Sequence, residues 1–175
     1  VNGKILKENI FDNIWIQPAA GDAGGALGAA LALWYEDEKQ FRKINQADDM
    51  RGSYLGPEYS QEQIEKELKF IGANFRVLNY DELIDKTAEY LTEEKVIGWF
   101  QGRMEFGPRA LGARSILGDP RSPKMQKNLN LKVKYREGFR PFAPSVLRED
   151  LSEWFNLNTD SPYMLLVANV NNKKK

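Results

Sequence analysis

The residues of this chain best equipped for chemistry are its arginines and lysines. Between Gln101 and Arg148 stand Arg103, Arg109, Arg114, Arg121, Lys124, Lys127, Lys132, Lys134, Arg136, Arg140 and Arg148, against only Glu105, Asp119 and Glu137. These eleven cations and three anions leave a local excess of eight positive charges, in a 175-residue chain whose 25 basic and 25 acidic residues cancel. The compensating negative charge must lie elsewhere, so the field is segregated, and a segregated positive field draws anions into a cleft. Gly102, Gly107, Pro108 and Gly112 are interleaved with these arginines. Glycine lets backbone amides approach a ligand closely, and a guanidinium pairs with two phosphate or carboxylate oxygens at once. The chain has no Cys and no His, which removes disulfides, thiolate zinc sites, cysteine nucleophiles and the commonest general base. What remains is Arg, Lys, carboxylates, hydroxyls and backbone amides, a set suited to phosphate or acyl-phosphate groups, where electrostatic stabilisation does most of the work. A solvated charge run with surface ion pairs is the plainer alternative. An RNA-binding Arg-Gly tail is a third, against which stand the flanking run Val96 to Phe100 and the apolar Ala110, Leu111, Ile116 and Leu117.

The elements that must carry these groups read as α/β. Ile10 to Gln17 has the β-branched and aromatic content of a strand closed by Pro18, and a small-residue turn, Ala19 to Gly25, follows. Ala26 to Tyr35 is a helix whose small side chains permit close packing on a sheet. The charged stretch around Arg51-Gly-Ser and Gly56-Pro57 is a linker. Ser60 with Gln63 forms a capping box, opening a helix to about Gly72 with Ile64, Leu68 and Ile71 on one face. Phe75 to Leu78 suggests a short strand. Asp81 caps a second amphipathic helix with Leu83, Ile84, Ala88 and Leu91 inward. Val96 to Phe100 is a buried strand leading into the glycine–arginine run. Ser122-Pro123 starts another helix that continues through Met125 and Leu129. Phe139 to Leu147, with two prolines, is an edge strand or loop. A short helix at Leu151 to Phe155 precedes a strand from Tyr163 to Val170. Neutral overall charge gives no case for nucleic acid or an anionic membrane as partner. No apolar run reaches membrane-spanning length and the first residues do not read as a signal peptide, so the expected setting is cytoplasmic.

Three runs carry a resemblance to a known family. They are Gln101-Gly-Arg-Met-Glu-Phe-Gly-Pro-Arg-Ala-Leu-Gly-Ala-Arg-Ser-Ile-Leu117 with Asp119-Pro-Arg121, then Arg136-Glu-Gly-Phe-Arg-Pro-Phe-Ala-Pro-Ser-Val146, and Gln17-Pro-Ala-Ala-Gly-Asp-Ala-Gly-Gly-Ala-Leu-Gly-Ala-Ala-Leu31. Together they resemble the nodulation-type and antibiotic O-carbamoyltransferases, over nearly the whole chain. The resemblance implies residues 1–43 as the end of an actin-like ATPase-fold domain that performs carbamoyl transfer, 44–59 as a linker, and 60–175 as the amino-terminal part of a YrdC-like α/β domain with a twisted mixed sheet. In such enzymes the YrdC-like domain uses ATP and carbamoyl phosphate to make carbamoyl adenylate, and the actin-like domain, with a divalent metal (iron or magnesium), passes the carbamoyl group to a hydroxyl of a sugar or related acceptor. The other function class left open is a non-catalytic nucleotide- or RNA-binding YrdC-like module.

The same resemblance assigns residues. Asp22 matches a metal-ligand aspartate, where its alternative is a cap for the following helix. Gly24 and Gly25 match positions that let nucleotide or phosphate approach, where the alternative is packing. Arg109, Lys134 and Arg136 are the expected catalytic cations, neutralising carbamoyl and triphosphate oxygens. Lys134 and Arg136, as alternate residues of an extended segment, would share a face; a solvated helix end is the alternative. Arg103, Arg114, Arg140 and Ser145 are further ligand-binding candidates, the arginines alternatively pairing with Glu105, Asp119 or Glu137, and Ser145 alternatively a turn residue. The family's histidine ligands and its His-Asp-Gly-Thr-Ala-Arg segment have no counterpart here, so the chain on its own is expected to be inactive, its partners including the rest of a longer polypeptide.

Overall fold

The computed structural model of the chain describes residues 1–44 and 48–174. They divide into two compact units: Val1–Gly56, Glu105–Leu111 and Ser145–Lys175 form one, Pro57–Met104 and Gly112–Pro144 the other. The linker expected at 44–59 includes residues 45–47, which lie outside the described ones.

The first unit opens with α1, Asn2–Glu8, and α2, Asp22–Ala32. Between them, Ile10 to Gln17 is irregular rather than a strand. Its residue types favour a pleated surface, but a strand exists only through a partner, and none among the described residues pairs with it. Helix α2 begins at Asp22 rather than Ala26 and runs into a single π-helical turn, Leu33–Asp37. Its small residues Gly25, Ala26, Gly28, Ala29 and Ala30 are exposed, as are Leu31, Leu33 and Trp34.

The second unit carries α3, Gln61–Phe70, and α4, Tyr80–Thr92. The capping box at α3 is formed: Ser60 Oγ accepts from the Gln63 amide at 3.2 Å, and Gln63 Oε1 accepts from the Ser60 amide at 2.8 Å. Helix α4 is capped by the same device from Asn79 and Glu82, not by Asp81, which lies inside the first turn. There its carboxylate is favoured by the helix dipole instead. The expected inward faces are only partly covered. Leu68 and Leu91 are half-buried, whereas Ile64, Leu83 and Ile84 stay between 37% and 40% exposed.

Strand β1, Ile97–Phe100, follows, and β2 is Arg114–Leu117. They pair antiparallel, Ile97 opposite Leu117 and Phe100 opposite Arg114, and the Gln101 amide extends the ladder to the Ala113 carbonyl at 3.0 Å. Among the described residues this two-stranded antiparallel pair is the whole sheet, where a mixed sheet is expected. Phe75 to Leu78 joins no ladder.

Helix α5, Met125–Asn128, runs into a second π turn, Leu129–Val133. It starts two residues later than the Ser122-Pro123 signal suggests, because Ser122 closes a turn on the Asp119 carbonyl. Ala113, Met125 and Leu129 form the apolar centre of this unit, each at most 6% exposed. Gly118 sits under them, since a Cβ there would lie 2.9 Å from Met125 Cγ and Sδ. Asp119, also buried, accepts from Arg121 Nε at 2.9 Å and Nη2 at 2.6 Å. That pairing holds its carboxyl below the ordinary carboxylate range.

The last described α-helix, α6, Leu151–Trp154, belongs to the first unit. The strand expected from Tyr163 to Val170 reduces to one bridge, Val170 with Phe155. Met164 takes φ +54°, which an extended run cannot absorb. The segment is tied down by polar bonds instead: Asn2 Nδ2 donates to the Leu165 carbonyl at 3.0 Å, and Asn171 Nδ2 donates to the carbonyls of Ser152 and Glu153. No described helix is long and apolar enough to cross a membrane.

Candidate functional site

The run Gln101 to Gly112 connects β1 to β2, and its middle, Glu105–Leu111, belongs to the first unit. Four contacts pin that loop. Glu105 is 4% exposed and its Oε1 accepts from the Leu111 amide at 2.7 Å, closing the loop across its own base. The Phe106 amide donates to the Ser53 carbonyl at 2.6 Å, and Tyr54 Oη donates to the Leu111 carbonyl at 2.8 Å. Gly107 takes φ +105°, and a Cβ there would fall 2.6 Å from the Cβ of Ala19. Glycine is required on both counts. The loop therefore rests on the turn that leads into α2, and Arg109 stands exposed on it.

The Arg51–Ser53 turn that receives Phe106 is itself held from two sides. Asp48 accepts from the amides of Met50 at 3.0 Å and Gly52 at 3.2 Å. Tyr163 donates its hydroxyl to Asp48 and accepts from the Gly52 amide at 3.0 Å. Burial pushes Asp48 up, but the hydrogen bonds from Tyr163, Gly52 and Met50 outweigh it and hold the carboxyl below its ordinary value. Burial, and then the bond to Asp48, push the Tyr163 phenol up to about 12.

Asp22, Gly24 and Gly25 lie in this first unit as well. Asp22 is the first residue of α2; the cap position is Gly21, with no side-chain cap bond, so Asp22 is not the cap. Gly24 is packed, its amide donating to the Ala19 carbonyl at 2.8 Å and its Cβ position 2.6 Å from that oxygen. Gly25 faces open space. Ser145 is exposed. A single carboxylate does not make a metal site, and among the described residues no three His, Cys, Asp or Glu side chains gather to hold an ion. The donor set thus does not fit a resident metal on its own. A cleft of about 340 Å³ in the first unit is lined by Trp15, Asp48, Met50, Asp160 and Tyr163 among others, and by none of the expected site residues.

Lys134, Arg136, Arg103, Arg114 and Arg140 lie in the second unit. The Lys134–Arg136 segment is not extended: Lys134 is the helical residue ending the π turn, and Tyr135 takes φ +48°. Alternation across a strand therefore does not set which way the two cations face. Arg136 is fixed another way. Its amide donates to the Asn130 carbonyl at 2.9 Å, its Nε donates to Asn130 Oδ1 at 2.6 Å, and its guanidinium lies 4.9 Å from the centre of the Phe142 ring. Lys134 is exposed. Arg140 pairs with Glu137 at 2.8 Å, the structural alternative foreseen for it, and that pairing holds the Glu137 carboxyl low. Arg103 pairs with Glu58 at 3.1 Å, and Arg114, half-buried, opens β2. Sequence reasoning missed Asn130, Phe142, Tyr163 and the closing role of Glu105. A polar residue set between the apolar Leu129 and Leu131 is the one signal that could have found Asn130.

Comparison with known proteins follows the same residues. A family described as Carbamoyltransferase C-terminus matches residues 88–175, and one described as Carbamoyltransferase N-terminus matches residues 1–31. An uncharacterized Synechocystis protein is 56% identical over 97% of this chain and 28% of its own length. Nodulation protein NolNO of Sinorhizobium fredii is 42% identical over 100% of this chain and 26% of its own length. Nodulation protein NolO of Bradyrhizobium diazoefficiens is 42% identical over 99% of this chain and 32% of its own length. The chain spans about a quarter to a third of the length of these relatives.

Proposed function

This chain belongs to the carbamoyltransferase family, whose C-terminal description covers just over half of it, and on that premise we propose that it serves an O-carbamoyl transfer driven by ATP and carbamoyl phosphate. The observation that carries the proposal is Arg136, braced at Nε by Asn130 and stacked on Phe142 in a block rich in cations. In the proposed chemistry water cleaves carbamoyl phosphate to carbamate and phosphate. A carbamate oxygen then attacks the α-phosphorus of ATP and expels pyrophosphate, giving carbamoyl adenylate. A hydroxyl of a sugar or related acceptor takes the carbamoyl group and releases AMP. The charge that builds on the phosphoryl oxygens calls for fixed cations. Arg109, Lys134 and Arg136 are the proposed cations, with Arg114 assisting.

The actin-like and YrdC-like identities of the two regions, and a cytoplasmic setting for the ATP chemistry, belong to the same proposal. So does Asp22 as one metal ligand, its companions to come from the rest of a longer polypeptide. Gly24 serves packing under this reading, whereas Gly25 is open to a ligand.

The test is carbamoyl-phosphate-dependent release of pyrophosphate from ATP, measured on a polypeptide of the relatives' length that contains this chain. Lys134→Ala abolishes it under the proposal, and the 175-residue chain alone shows no turnover. Wild-type turnover in the Lys134→Ala protein would remove Lys134 from the chemistry.

A further inference from the structure

Asn130 is fully buried, at 0% exposure, inside the π turn Leu129–Val133. Its Nδ2 donates to the carbonyls of Gly138 at 3.3 Å and Arg140 at 2.8 Å. Those two acceptors fix which way the amide points: turned over, its oxygen would face two carbonyl oxygens. The Oδ1 is therefore committed to the other side, where it accepts from Arg136 Nε at 2.6 Å. The Asn130 carbonyl also accepts the Arg136 amide at 2.9 Å. One buried residue thus sets both the backbone and the side chain of Arg136.

The remaining groups of Arg136 are accounted for in turn. The guanidinium carbon lies over the Phe142 ring, 4.9 Å from its centre. The adjacent carboxylate, Glu137, is engaged by Arg140 at 2.8 Å. The two Nη groups have no hydrogen-bond partner among the described residues. Arg136 is braced at Nε and left open at its far edge, where two parallel donors match two oxygens of a phosphate. A π turn at this point is in keeping with such a use, since these turns concentrate at functional sites.

We propose that Asn130 is a positioning residue that holds the Arg136 guanidinium edge-on towards a phosphoryl group, with Phe142 as the platform beneath it. The inference rests on the reading above, in which Arg136 meets the oxygens of ATP or carbamoyl phosphate. It adds the residues that determine where that guanidinium points.

Calorimetric titration of a polypeptide of the relatives' length that contains this chain, with ATP and separately with carbamoyl phosphate, tests it. Arg136→Ala weakens binding of whichever of the two it meets by about 10- to 100-fold. Asn130→Ala weakens the same ligand by about 5-fold and Phe142→Leu by about 3-fold. In the Arg136→Ala background both further losses vanish, because each acts through the guanidinium. Nitrogen-15 spectra supply a readout that bulk stability does not move: the Arg136 Nε proton exchanges slowly in the unsubstituted chain and in Phe142→Leu, and fast in Asn130→Ala. Should Asn130→Ala fail to fold, the Phe142 cycle and the Nε exchange in the unsubstituted chain still decide.

Additive losses in the double variants, or a fast-exchanging Nε proton in the unsubstituted chain, overturn the positioning role while leaving the phosphate reading in place. Unchanged affinity in Arg136→Ala, or no binding of either ligand by the unsubstituted polypeptide of the relatives' length, overturns both.

Discussion

Replacing Tyr163 by Phe removes one oxygen that does two things, and the structure sets both the size and the pH dependence of the loss. The hydroxyl accepts the Gly52 amide at 3.0 Å and donates to the Asp48 carboxylate. A neutral bond of this kind contributes about 1 kcal/mol net, and one to an ionised partner about 1.5–3 kcal/mol. Asp48 is exposed, so solvent screening cuts the second to about 1 kcal/mol. The sum is about 2 kcal/mol, or a fall in Tm of about 4–8 °C for a chain of this size.

The pH dependence has two edges. The folded Tyr163 phenol is pushed up to about 12. A raised pKa gives stability that is complete below the unfolded value near 10 and lost as pH rises from there towards 12. Asp48 is held low, so its share is present above its ordinary value near 3.8 and lost as pH falls through its folded value. The gap between wild type and Tyr163→Phe is therefore flat from about pH 5 to 9 and closes at both ends. Urea unfolding across pH, with the 295 nm absorbance difference between the two proteins to follow the phenol, measures it. A gap under about 0.5 kcal/mol at pH 7, or one that persists unchanged to pH 12, would refute the argument. Because Ser53 follows Gly52 and accepts the Phe106 amide at 2.6 Å, the same substitution loosens the loop that carries Arg109.

Three further expectations concern single contacts. Glu105→Ala leaves the half-buried Leu111 amide without this acceptor and costs about 1–3 kcal/mol, whereas Glu105→Gln retains an acceptor; hydrogen exchange at Leu111 separates them. Gly107→Ala meets Ala19 Cβ at 2.6 Å with φ at +105°, a strain of about 1–3 kcal/mol from the backbone alone, read as a lower urea midpoint. Asn79→Ala removes half of a capping box and costs about 1 kcal/mol of α4 stability, visible by circular dichroism as earlier helix melting.

Local rules were legible in the sequence wherever they are closed within a few residues. The Ser60–Gln63 box, the β1 strand and the charge block of 101–148 all follow from neighbours in the chain. The Asn79 cap was equally local, yet it was passed over for Asp81, because both residue types cap and only the backbone angles choose between them. Strands expected at 10–17, 75–78 and 163–170 failed for a different reason. β-propensity describes a residue that fits a pleated surface, and a pleated surface exists only when a second strand is present. The half-covered faces of α3 and α4 say the same of helices: periodicity marks a face and does not provide what covers it.

The candidate site divides along the same line. Residue types alone pointed towards anions met by fixed cations, since a chain without His and Cys has few other tools and its Lys and Arg are concentrated in one region. Family-specific order in the runs at 17–31, 101–121 and 136–146 pointed to the carbamoyltransferase family, which the family matches over 1–31 and 88–175 bear out. Only the tertiary structure decided how the cations are held. Arg140 is matched by Glu137, Arg103 by Glu58, and Arg136 is braced by a buried amide on one edge and an aromatic ring on one face. Charge is a property of composition. The direction in which a guanidinium points depends on hydrogen bonds and packing that appear only once the chain has folded.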